Sequence, residues 1–544
     1  MLRFQTFHED ADEWISPLRN AYLIGNDGHP MRGEISVEDG TIVCDKREQG
    51  PAALNILYPA GALGELSMQT TLLPERDRPY VLEVELARHR LMTVYLKRED
   101  WGMLDLADDH PVPTQTARAL EAFLEAVADE RDAPESAAEH ALVALEAAID
   151  ASEELALAHA DRLLGRRMQT RSMPTAAIGC TVHPTHTDPR LRPLIAEHFE
   201  YIQLPIPWKL LSPEEGAYRW DAIDSWVEWA TEQKMPIVAG PLISFDPDEL
   251  PDWLYIWEHD YDTLRDLAYE HIEEVVGRYV RSVGAWNVVS GLHINTHFSF
   301  NFEQLMDLTR MSLMLAGKMV SGARLYVELR QPFGEYYAQN PRSIPPTMFA
   351  DLVTQSGVAF DGFSLRMPMG RAAEGEFTRD LLQVSSLLDR MQPFGKPVLL
   401  TTGVPSEPVT SWMLDAAAGG EPADDRSGSW RKPWGSDVQS LWLQAVYQIA
   451  LSKPFVDAVA WMELTDHELS SLPMSGLISD EMRPKSSVKR LIGLRKAIRS
   501  PRPTRVATEL SDIADAGDPA DGVAAFADDD DGPTPSWRDD EDSA

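Results

Sequence analysis

Between Pro174 and about Ser500, short apolar runs alternate with amphipathic stretches, and this rhythm limits the fold more than any other feature of the chain. The runs are Ala176–Val182, Tyr201–Ile206, Pro236–Leu242, Ala285–Ser290, Ala323–Leu329, Phe360–Leu365, Pro397–Thr402 and Ala458–Glu463. Their length and their β-branched and apolar content suit strands buried on both faces of a parallel sheet. Eight such strands with helices between them predict an α/β fold, a (β/α)8 TIM barrel. In that fold, chemistry sits at the C-terminal ends of the strands.

The remainder of the chain divides by composition. Residues 1–110 predict a β-rich, sandwich-like domain, with short strands at Thr41–Cys44, Ala53–Tyr58, Ser67–Leu73, Tyr80–Leu86 and Leu91–Leu96 and a turn at Gly25-Asn-Asp-Gly28. Residues 111–172 are rich in Ala, Leu and Glu with apolar residues at helical spacing, which predicts a helical connector broken near Ala133-Pro-Glu-Ser136. The barrel takes 173–500. Residues 501–544 turn to Asp, Ala, Gly and Pro and predict a disordered acidic tail.

The chain has 544 residues, 44% hydrophobic and 25% charged, and a formal net charge of −38. Such an acidic protein repels phosphate backbones and anionic membrane surfaces, so neither nucleic acid nor membrane is expected as a partner. Cys44 and Cys180 fall in different expected domains and indicate neither a disulfide framework nor a cysteine metal site. The opening MLRFQTFHEDADEW lacks the apolar core of a secretory signal, and no apolar run is long enough to span a bilayer. A cytoplasmic location is the expectation. No cofactor is implied, and protein partners are left open.

The stretch Trp286-Asn-Val-Val-Ser-Gly-Leu-His293 is similar to the fourth-strand motif Trp-Asp-Val-Val-Asn-Glu of glycoside hydrolase family 10, the xylanase family. Further segments resemble that family in order. They are Leu204-Pro-Ile-Pro-Trp208-Lys209 with Trp220-Asp221, Leu250-Pro-Asp-Trp-Leu254, Phe360-Asp-Gly-Phe-Ser-Leu365, Ala460-Trp461-Met-Glu-Leu-Thr-Asp466, and Gly476-Leu-Ile-Ser-Asp480. The resemblance implies a carbohydrate-associated barrel. It also implies that the acid/base position falls on Gly291 and the nucleophile motif on Thr401-Thr402-Gly403-Val404, so both standard glutamates are replaced. Retaining glycosidases need two carboxyl groups about 5 to 5.5 Å apart. Other family positions fall on Gly240, Leu204-Pro205 and Arg366-Met-Pro368.

Three readings follow. The first is a catalytically degenerate, carbohydrate-binding barrel, a pseudoenzyme in which Trp208, Trp286, Trp461, Lys209 and Arg366 hold the ligand. In the second, an active O-glycosyl hydrolase uses relocated carboxylates, the candidates being Glu328, Glu335, Glu463 and Asp466. The third is a non-enzymatic intracellular assembly module. His293 and His297 have the spacing of a metal pair on a helix, but their segment follows a strand and reads as a loop, so no metal is expected. His183 and His186 lie near the same rim. The stretch Ala416–Trp434 reads as a long loop, a candidate lid carrying Trp430 or Trp434.

Overall fold

The computed structural model describes residues 1–500 except 9–10, 16–17, 299, 410–425 and 468–469. The expected tail and most of the expected lid lie outside the described residues.

All eight expected barrel strands form. They are Ile178–Thr181, Tyr201–Leu204, Ile237–Ala239, Ala285–Ser290, Arg324–Arg330, Gly362–Pro368, Val398–Gly403 and Val456–Trp461. Each pairs in parallel with its neighbour in sequence, and the eighth pairs with the first, which closes the barrel. A short piece, Ile243–Ser244, adds to the mouth side of the fourth strand. Inside, Tyr201, Ala285, Tyr326, Leu399, Ala458 and Ala460 pack into one buried cluster that plugs the barrel below the mouth.

The N-terminal region holds two sheets. One orders Gly33–Glu38, Thr41–Lys46, Leu2–Gln5 and Tyr80–Val81. The other orders Ser429–Trp430, Gly64–Gln69, Ala53–Pro59, Tyr22–Ile24 and Pro30–Met31. Its first strand comes from the loop after the seventh barrel strand, so the barrel completes an N-terminal sheet.

Two expected strands are corrected. Leu82–Asp100 is one helix, and only Tyr80–Val81 is extended. The alternation Val81-Leu-Glu-Val-Glu-Leu suggests a period of two, yet the buried apolar residues Val84, Ala87, Leu91 and Val94 follow helical spacing. Glu83 and Glu85 are buried too, which a strand pattern would assign to solvent. Glu83 accepts hydrogen bonds from the Thr6 hydroxyl, the Phe7 N–H and Tyr58, and Glu85 accepts from Thr71 at 2.6 Å. Helices Pro111–Asp129 and Pro134–Thr170 fill the connector, starting at Pro residues that need no helical N–H partner.

The lid reading is also corrected where it can be described. Trp430 and Trp434 are buried, and Trp430 Nε1 donates to Glu153 Oε1 at 2.7 Å. Glu153, 1% exposed, also accepts from the Leu381 N–H at 3.1 Å and from Arg431 at 2.6 Å. This carboxylate ties the long connector helix to two barrel segments. We expect Glu153→Ala to strand the Arg431 and Trp430 donors and cost about 3–5 kcal/mol. A thermal unfolding midpoint several degrees below wild type would agree, and an unchanged midpoint would not.

Candidate functional site

Strand register builds the site. Ser290, Glu328 and Ser364 are direct neighbours on the fourth, fifth and sixth strands. Glu328 therefore accepts from Ser290 Oγ at 2.7 Å and Ser364 Oγ at 3.2 Å, and from Asn287 Nδ2 at 3.1 Å. Residues two apart on a strand face the same side. Arg330, on the same face as Glu328, is paired in register with Arg366, and Arg366 with Thr401.

Asn287, Glu328, Arg330, Arg366 and Thr401 line a cleft of about 230 Å³ at the barrel mouth. Three guanidinium–carboxylate pairs surround it. Arg330 meets Asp246 at 2.5 Å and Arg366 meets Glu249 at 3.5 Å. Arg371 grips Glu376 with two bonds of 2.6 and 2.8 Å. Gln203 Oε1 accepts from Thr181 at 3.0 Å and Thr401 at 2.9 Å, while its Nε2 is buried with no hydrogen-bond partner. Asn287 Oδ1 and Gln331 Oε1, also in the cleft, are likewise buried and unpartnered.

Charge is concentrated here. Burial opposes the Arg330 charge, yet Asp246, Glu249, Glu328 and Glu376 together raise its pKa. Burial pushes Asp246 up, but Arg330, the Asp248 N–H and Arg366 hold it below its ordinary value. Glu249 goes the other way, because burial outweighs the same arginines. Glu463, just past the eighth strand, is pushed up to about 7 by burial, against the Ser471 hydrogen bonds and Arg366. Ser471 donates to Glu463 Oε1 through both its N–H and its hydroxyl, each at 3.0 Å.

The sequence-derived candidates separate. Glu328, Glu463 and Arg366 line the cleft. Glu335 does not. It is buried against Arg379, next to Tyr22 of the N-terminal sheet. Asp466 is bound to Lys485 at 2.6 Å and accepts from the Gly476 N–H, pinning the closing segment. The expected tryptophan platforms are corrected. Trp286 and Trp461 are wholly buried in the barrel wall, with Trp461 Nε1 bonded to Ser475 O at 2.7 Å. Trp208 stacks on His271 at 4.2 Å outside the mouth, and Lys209 pairs with Asp252 at 3.0 Å. Among the described residues, no tryptophan, tyrosine or phenylalanine lines the cleft.

The histidine pair also separates. His293 is buried on Phe349 with Nε2 at 3.0 Å from Arg330 O, whereas His297 faces a separate small cavity. Instead His183 and His186 meet His467, with ring centroids 4.8 and 5.2 Å apart. Gly291 follows the fourth strand at φ +64°, and a Cβ there would lie 3.0 Å from Arg330 Cδ. Thr402 is buried and donates to Met367 O at 2.8 Å.

Sequence reasoning missed Asp246, Glu249, Arg330, Arg371, Glu376, Gln203 and Asn287. Their signal was position: most lie at or just beyond the C-terminal ends of expected strands, where a barrel keeps its chemistry.

The fold is a glycoside hydrolase family 10-like (β/α)8 barrel. Residues 167–301 match the family model described as Glycosyl hydrolase family 10. Among curated proteins, the chain is 28% identical over 112 residues to endo-1,4-beta-xylanase A of Xylanibacter ruminicola, covering 20% of this chain and 30% of that protein. It is 30% identical over 99 residues to the beta-1,4-xylanase of Dictyoglomus thermophilum, covering 18% and 27%. The matched stretch thus spans less than a third of these relatives. Among solved structures, it is similar to xylanase 10B of Thermotoga maritima, with 16% identity, TM-score 0.44, and 62% and 98% of the two chains covered. It is also similar to a GH10 endoxylanase from a sugarcane soil metagenome, with 17% identity, TM-score 0.46 and coverage of 60% and 99%.

The raised Glu463 makes a signed prediction. A carboxyl whose folded pKa lies above its unfolded value contributes stability at low pH and loses it as pH rises from the ordinary glutamate range through about 7. Glu463→Gln removes that loss. The variant's melting temperature should therefore gain on wild type between pH 5 and pH 8. A difference that is flat or shrinks with pH would contradict the assignment.

Proposed function

We propose that the barrel mouth binds a small carbohydrate and lacks the two-glutamate chemistry of the family it resembles. The observation that carries this is the set of buried, unpartnered amide atoms in one cleft: the donor Gln203 Nε2 and the acceptors Asn287 Oδ1 and Gln331 Oε1. Buried polar atoms are costly unless bonded. A polyhydroxylated ligand answers both kinds, since each hydroxyl donates and accepts. The arginine–carboxylate pairs add further acceptors and donors held at fixed positions. The catalytic positions of the family fall on Gly291 and Thr402. A glutamate at Gly291 would meet Arg330 and a left-handed backbone, so the acid/base cannot simply be restored there.

A second reading rests on Glu463. Its pKa of about 7 suits a general acid, and Glu328 shares its cleft. Against that reading, both Glu328 oxygens already accept hydrogen bonds.

The test is calorimetry and thermal shift with xylo-, gluco- and manno-oligosaccharides, followed by product analysis after long incubation. Binding of intact sugar is expected, with Gln203→Ala or Asn287→Ala weakening it about tenfold, the worth of a typical buried hydrogen bond. Slow cleavage abolished by Glu463→Gln would favour the second reading. No binding of any sugar would overturn both and leave the assembly module.

A further inference from the structure

A second cavity, of about 430 Å³, lies between the N-terminal sheet, the Leu82–Asp100 helix and the barrel helix Leu381–Asp389. It is distinct from the mouth and shares no lining residue with it. In a chain of net charge −38, its lining is reversed in sign: Arg90, Lys97, Arg379 and Arg390 against the single acid Asp389. That acid is already engaged. Asp389 accepts from Lys453 at 2.6 Å and Trp101 Nε1 at 2.9 Å, and lies 3.6 Å from Lys97.

The cations are incompletely answered. Arg90 spends its two terminal nitrogens on Asp380, at 3.0 and 2.5 Å, and its Nε is buried without an acceptor. Arg379 pairs with Glu335 and lies over the Phe333 ring at 3.9 Å, and its Nε is also unpartnered. These two side chains are only 4% and 2% exposed, so water does not supply what is missing. Arg390, which reaches the cavity from the end of the same barrel helix, has no side-chain hydrogen bond or ion pair among the described residues. The His89 imidazole, which also lines the cavity, has no hydrogen-bond partner among the described residues either.

We propose that this cavity is a binding site for a phosphate-bearing small molecule, with Arg390 as its free anchoring cation. Asp380 and Glu335 offset Arg90 and Arg379, and Asp389 offsets one of Lys97 and Lys453, which leaves Arg390 and one lysine charge in excess beside the cavity, a pair that a doubly charged oxyanion offsets better than a single carboxylate. Tyr22, Ile24 and Leu382 offer apolar wall for the organic part of such a ligand. Because the cavity joins the N-terminal sheet to the barrel, its occupant would bridge the two.

The test uses the full chain with inorganic phosphate, glucose 6-phosphate and glucose as probes, read by calorimetry and thermal shift. Saturable binding of the two phosphates and not of glucose is expected. Arg390→Ala should weaken it at least tenfold while leaving the unliganded melting temperature unchanged, because that guanidinium holds nothing in the fold. Arg47→Ala, an exposed cation elsewhere, should leave binding intact. Binding of neither phosphate, or binding that survives Arg390→Ala, overturns the proposal. Sugar binding at the mouth is scored separately by Gln203→Ala, so the two sites fail independently.

Discussion

Arg330 holds the barrel mouth together. It is surrounded by Asp246, Glu249, Glu328 and Glu376, contributed by three different strand ends and the loops after them. Without a cation at that point, four carboxylates around one cleft would repel each other in a medium that screens poorly. With it, the loop after the third strand is drawn onto the fifth, and the cleft keeps its shape without an aromatic floor. The same side chain crowds the position after the fourth strand, where a Cβ on Gly291 would lie 3.0 Å from Arg330 Cδ.

The N-terminal region meets the barrel through similar buried charge contacts. Glu153 gathers Trp430, Arg431 and the Leu381 N–H, and Arg90 grips Asp380. Arg167 donates to the carbonyls of Leu451, Lys453 and Val456. Removing one member of such a set costs more than the set contributes, because the remaining charges stay buried. These contacts explain why a strand from the barrel loop completes an N-terminal sheet, and they leave the charged cavity beside Arg390 at the seam.

The strands were legible because parallel barrel strands are buried on both faces and so appear as apolar runs; Ala285–Ser290 came out residue for residue. The helix at Leu82–Asp100 was not, since its first turn mimics strand alternation and its acids are buried against the Thr6 and Thr71 hydroxyls of distant segments. Of the site, Glu328, Glu463 and Arg366 were reachable from strand ends. The tryptophans misled because a large aromatic ring serves a wall as readily as a ligand, and Trp286 and Trp461 serve the wall. Arg330 went unnoticed because its partners lie in other loops, and only closure of the barrel brings them together.

The most direct measurement is a crystal structure of the protein soaked with xylotriose. A sugar ring in the mouth, with hydroxyls within hydrogen-bonding distance of Gln203 Nε2 and Asn287 Oδ1 and the glycosidic bonds intact, is the expected result. Density for the sugar only outside the mouth, or a mouth that stays empty at saturating sugar, would contradict the account.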